Sequence, residues 1–131
     1  MESGKSRKSR VYGSPDSTPM ASSSDQILIS ELWEEHQGAP FPKAFRAKDI
    51  NGIDFVVLDA DVAGCVDTFL SRGNLNLYQT AILGLSYRNL SFVIPILNDE
   101  GKEYFWRLER LAELVLKSVA LKNEKEHKRD T

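Results

Sequence analysis

The sequence predicts an all-α protein: a small up-down four-helix bundle with disordered N- and C-terminal tails. Three observations carry that prediction. Four stretches repeat their apolar residues at helical spacing. Gly, Pro and Asn punctuate the gaps between them. Two polar ends flank the patterned part of the 131-residue chain. Four amphipathic helices with short connections close most simply as an up-down bundle.

The ends are read first because they set the domain limits. Residues 1–24 are rich in Ser, Thr, Pro and basic side chains and almost lack large apolar ones. Such a segment buries too little surface to offset its ordering entropy, so a disordered tail is expected. Residues 122–131, KNEKEHKRDT, hold no apolar side chain and are expected to form a charged flexible tail. The helical domain is then 25–121. It carries nine basic and fourteen acidic residues, a net charge of −5, although the whole chain is only −2. An acidic domain repels phosphate backbones, so no nucleic acid is expected as its partner.

No run approaches the roughly 18 apolar residues of a membrane span. No apolar signal core is present in the first residues either. An intracellular, cytoplasmic protein is expected. The Lys5–Arg10 run KSRKSR and the serine-rich start leave nuclear or organelle import as alternatives.

The first helix is predicted over Asp25–His36, with Ile27, Leu28, Leu32 and Trp33 inward and Ser23 or Ser24 as its cap. Gly38 and the Pro40-Phe41-Pro42 run end it. The long 38–53 connection is expected to cross an end of the bundle, plugged by Phe41 and Phe45. The second helix is predicted over Asp54–Ser71, after an Asn51-Gly52 turn. Phe55, Leu58, Val62, Cys65, Val66 and Phe69 form its inner face, and Gly73 sits where a C′ glycine belongs.

The third helix is predicted from near Leu75 to about Ile94, capped by Asn74 or Asn76 and stopped by Pro95. Its stripe is Tyr78, Ala81, Ile82, Leu85, Asn89, Phe92 and Val93. Gly64 on the second helix and Gly84 on the third predict a close crossing that Gly64→Leu would overpack. The fourth helix is predicted over Asp99–Leu121, capped by Asn98. Phe105, Leu108, Leu111, Ala112, Val115 and Val119 line its inner face. Glu103/Arg107 and Glu113/Lys117 are favourable i,i+4 pairs on it.

One segment suggests chemistry. Asp54-Phe-Val-Val-Leu-Asp59-Ala-Asp61 also reads as a β-branched strand delivering an Asp-x-Asp pair. It resembles the first motif of haloacid-dehalogenase-type phosphatases. That resemblance covers about eight residues. It implies Asp59 as phosphoryl-accepting nucleophile, Asp61 as general acid and Mg²⁺ as cofactor. The rest of the chain departs from the family. No later strand carries Ser or Thr, no basic residue occurs from Asp49 through Ser71, and no later Asp-Asp pair could hold Mg²⁺. The helical period runs unbroken over 55–69, which makes these aspartates a solvated helix face.

His36 and His127 lie far apart, one beside a turn and one in the C-terminal tail, so no metal or other cofactor is expected. Cys65 falls on an apolar stripe and reads as a core residue. Tyr104, Phe105 and Trp106 are consecutive, so one must face outward. Tyr104 or Trp106, beside Arg107 and Arg110, could anchor an interface. The expected function is a non-catalytic helical binding or regulatory module for a protein partner or a second copy. Its candidate binding residues are Trp106, Tyr104, Arg107, Arg110, Asp54 and Asp61. The alternative is a small Mg-dependent phosphatase-like hydrolase using Asp59 and Asp61.

Overall fold

A computed structural model describes residues 21–130, with side chains for 24–98 and 101–125. Helix α1 spans Ala21–Gly38, α2 Phe55–Arg72, α3 Leu77–Val93 and α4 Asp99–Asp130. The all-α bundle is therefore correct. The expected disordered tail at 1–24 falls outside the described residues up to position 20. From Ala21 the chain is already helical, so Ser23 and Ser24 lie inside α1 and do not cap it. At the other end α4 continues past Leu121 to Asp130, through Lys-, Glu- and Arg-rich sequence that holds no helix breaker. No described helix is long and apolar enough to cross a membrane.

The ends of α2 and α3 have local causes. A two-residue hairpin precedes α2, with β1 (Asp49–Ile50) antiparallel to β2 (Ile53–Asp54). Asn51 and Gly52 turn it at φ 52° and 81°, the left-handed pair that such a tight turn requires. Asp54 then caps α2, its Oδ1 accepting from the Val56 and Val57 amides at 2.9 and 3.1 Å. Gly73 closes α2 at φ 85°, its amide donating to the Phe69 carbonyl. The Lys122 ammonium of α4 donates to the Gly73 carbonyl and complements the negative end of that helix. Asn76 and Gln79 form a reciprocal capping box on α3. At its far end Pro95 sits in a 3₁₀ turn, Ile94–Ile96.

Helix α4 is the central element and packs against the other three. All six of its expected inner residues are buried, and so are Tyr104, Arg107, Leu114 and Ser118. The inner face of α2 is the one expected, from Phe55 to Phe69. The 38–53 connection closes one end of the bundle. There Phe45, Phe55 and Phe105 meet at centroid distances of 5.0 to 5.4 Å, and Phe41 stands edge-on to Phe105.

Four expectations fail. On α1, Ile27 is exposed, and Ile29 and His36 take the buried positions. On α3 the buried residues are Leu83, Ser86, Leu90 and Val93, while Tyr78, Leu85 and Phe92 face outward. The Gly64–Gly84 crossing is also absent: a Cβ at either position would meet nothing within 4 Å. Nor do Arg107 and Lys117 pair along α4. They reach α1 instead, to Glu35 at 3.7 Å and Asp25 at 3.9 Å.

Two glycines therefore give opposite expected outcomes. Gly101 has φ 86°, and a Cβ there would lie 2.6 Å from the Phe45 ring. Gly101→Ala should destabilise by about 1–3 kcal/mol through backbone strain and overpacking. Gly64→Ala, in an open mid-helix position, should stabilise by roughly 0.5–1 kcal/mol. Urea denaturation measures both, and a harmless Gly101→Ala would contradict the Phe45 contact.

Candidate functional site

Two places on the molecule concentrate its chemistry, and they lie on opposite sides of α2. Asp59 and Asp61 are two residues apart, so their side chains diverge by about 200° around the helix. Asp59 faces α1 and α4. Asp61 faces α3. The helix thus separates the two carboxylates that an Asp-x-Asp phosphatase site must bring together. Among the described residues no group of three or more His, Cys, Asp or Glu side chains is placed to hold a metal ion.

The first place is a polar network around Asp59. Its Oδ1 accepts from the Tyr104 hydroxyl at 3.0 Å and from His36 Nε2 at 3.1 Å. His36 Nδ1 in turn lies 3.4 Å from Arg107 Nε, which can only donate. That pairing assigns the proton of the neutral ring to Nε2. The Arg107 guanidinium sits 5.7 Å from the Tyr104 ring centroid and also reaches Glu35. The His36 and Tyr104 rings are 4.4 Å apart, and Trp33 stacks with His36 at a centroid distance of 6.3 Å.

His36, Tyr104 and Arg107 are buried, whereas the Asp59 side chain keeps 22% of its surface exposed. Burial raises the Tyr104 pKa above the ordinary 10.0. The Asp59 charge and the hydrogen bond to it push the same way, with a smaller opposing effect from Arg107. The donors here are spent on one another. Among the described residues no thiol or free hydroxyl stands beside His36, and Cys65 turns instead to the Gln79 carbonyl at 3.5 Å. Burial and then the Asp61 charge raise that thiol's pKa, the opposite of an activated nucleophile. The network's chemistry is that of a clasp joining α1, α2 and α4.

The second place is a groove of about 310 Å³ between α2 and α3. Ile53, Val57, Leu58, Ile82 and Leu85 supply its apolar lining, with Ser86 and Asn89 beside them. Asp54 and Asp61 stand along the α2 wall. From Leu85 in the groove wall α3 continues as an apolar ridge. Tyr78, Leu85 and Phe92 recur every seven residues and are 74%, 59% and 50% exposed. Val57, on α2, is also exposed. Arg88 is the one charged residue of α3.

The expected binding cluster on α4 is divided by these arrangements. Tyr104 and Arg107 turn inward to the clasp. Trp106 turns outward, 52% exposed, into a shallow depression with Ile94, Lys102 and Glu103. Arg110 lies at the surface and pairs with Glu113 at 3.2 Å. Asp54 caps a helix, and Asp61 has no ion-pair partner among the described residues. Sequence reasoning missed His36, although its place three and four residues after Trp33 and Leu32 continues their face. Compared with known protein families, curated proteins and solved structures, the chain matches none.

The raised Tyr104 pKa fixes a pH window. Folded Tyr104 holds its proton more tightly than the same residue in the unfolded chain. Its contribution is therefore fully present below pH 10 and is lost as pH rises through the folded value. Stability should fall above pH 10 with a slope of up to about 1.4 kcal/mol per pH unit from this one group. Tyrosinate absorbance should show one late-titrating component that Tyr104→Phe removes. Parallel alkaline stability curves for the two proteins would contradict the burial of Tyr104 beside the Asp59 carboxylate.

Proposed function

We propose that the protein is a non-catalytic helical binding module that docks another protein chain on its α2/α3 face. The observation that carries this is the second apolar stripe of α3. Leu83, Leu90 and Val93 already satisfy the core on one side of that helix. Tyr78, Leu85 and Phe92 form a stripe on another side and meet water. A helix on the surface of a monomer normally carries charges there. Full burial of a large apolar side chain is favourable by about 1.5–3 kcal/mol, so three half-exposed ones in a row leave several kcal/mol available to association.

The composition of the α3 ridge agrees with this. Interface centres gain aromatics and lose Lys, Glu and Asp, and α3 carries Tyr78 and Phe92 with Arg88 as its one charged residue; the charges of the face, Asp54 and Asp61, stand on the α2 wall. The Trp106 depression is the weaker candidate because only Ile94 and Trp106 supply its apolar lining, against five apolar residues in the groove.

A photo-cross-linking residue tests the assignment position by position. Placed at Leu85 or Phe92, it should give a discrete protein adduct in extract of the source cells. Placed at Arg110, it should give none. Leu85→Glu should reduce the adduct from position 92 at least tenfold while leaving the thermal midpoint within about 2 °C, because position 85 is outside the core. Equal adducts from all three positions, or an unchanged yield in Leu85→Glu, would overturn the docking face.

A further inference from the structure

The α2/α3 groove pairs an apolar floor with charge of one sign. Asp54 and Asp61 stand on the same wall seven residues apart, about 10 Å along the helix axis. Asp54 spends one carboxylate oxygen as the cap of α2 but keeps its negative charge. No Lys or Arg occurs from Asp49 through Ser71, so α2 offers these carboxylates no cation before Arg72. Val57 lies between them, and Ile82, Leu85 and Asn89 face them at spacings of three and four. That is a helix-accepting pattern. A helix laid along the groove presents its apolar residues at three and four to the floor. On the α2 side it meets a negative charge every second turn.

Resting on the reading of this face as a protein-docking surface, we propose that the occupant is an amphipathic helical segment of another protein. That segment carries Lys or Arg residues seven apart beside its apolar stripe. Charge complementarity decides between this occupant and a second copy of the chain. A second copy offers Arg88 as the one cation of its own α3 ridge and brings a second pair of groove carboxylates with it. The helical domain is net negative over 25–121, which favours a basic partner further.

The probe is an 18-residue helical peptide with Leu along one stripe and Lys at two flanking positions seven apart. A matched peptide carries Glu at those two positions. Binding to the full-length protein is followed by fluorescence anisotropy at low and at physiological salt. The Lys peptide should bind at least tenfold tighter than the Glu peptide, with the gap narrowing as salt rises. The double variant Asp54→Asn/Asp61→Asn should abolish that gap. Asn caps a helix as well as Asp, so the fold survives the change. Asp61→Lys should shift the preference toward the Glu peptide, and Leu85→Glu should weaken both.

Equal binding of the two peptides, both lost in Leu85→Glu, would overturn the basic partner and leave the docking face standing. Binding insensitive to Leu85→Glu would overturn both. A dimer in sedimentation that Leu85→Glu dissociates would assign the face to a second copy and overturn the proposal. Tenfold tighter peptide binding after Lys5, Arg7, Lys8 and Arg10 are changed to Ser would assign the groove to the chain's own N-terminal residues, again overturning it.

Discussion

The carboxylate of Asp59 holds donors from two other helices, His36 of α1 and Tyr104 of α4, and the rest of the arrangement follows from that contact. Two buried donors need an acceptor. Without one, each leaves a desolvation penalty of about 1–3 kcal/mol. The same oxygen satisfies both, so α1, α2 and α4 must arrive together at one point. Arg107 extends the clasp to His36 and Glu35, and Phe41 packs edge-on against Tyr104 to close the end of the bundle. An Asp-x-Asp pair that invites a catalytic interpretation thus supplies one carboxylate to the fold and the other to the surface.

Once α4 sits at the centre, α3 is placed by what remains. It packs on α2 and α4 through Leu83, Ser86, Leu90 and Val93. Among the described residues nothing covers its other apolar stripe. The groove and ridge are a consequence of bundle geometry combined with a helix that is apolar on more than one side. Stability and the proposed docking therefore use different faces of the same α3 sequence.

Much of this was legible in the residues. The α2 inner face and the α4 core needed only a 3.6-residue period, because a single stripe of large apolar residues dominates each helix and only a few apolar residues, such as Val56, Val57 and Trp106, fall outside it. Gly73, Pro95 and Asn76 marked helix ends through backbone constraints that act locally. The α3 face was not legible, because Tyr78, Leu85 and Phe92 make as good a stripe as Leu83, Leu90 and Val93. Local periodicity cannot rank two apolar stripes when only tertiary packing chooses between them. His36 was missed for the converse reason: a polar residue enters a core only when its partners come from distant sequence, here Asp59 and Arg107. Trp106 was read correctly as a candidate for exposure, but Tyr104 and Arg107, its sequence neighbours, belong to the interior.

The clasp is the central claim, and a double-mutant cycle between Asp59→Ala and Tyr104→Phe measures it. Unfolding free energies of the four proteins in urea give the coupling between the two side chains. A shared buried hydrogen bond should give a coupling energy of about 1 kcal/mol or more, each single change losing most of what the pair loses together. Additivity to within about 0.3 kcal/mol would mean that the two side chains act independently, and the clasp account would be wrong.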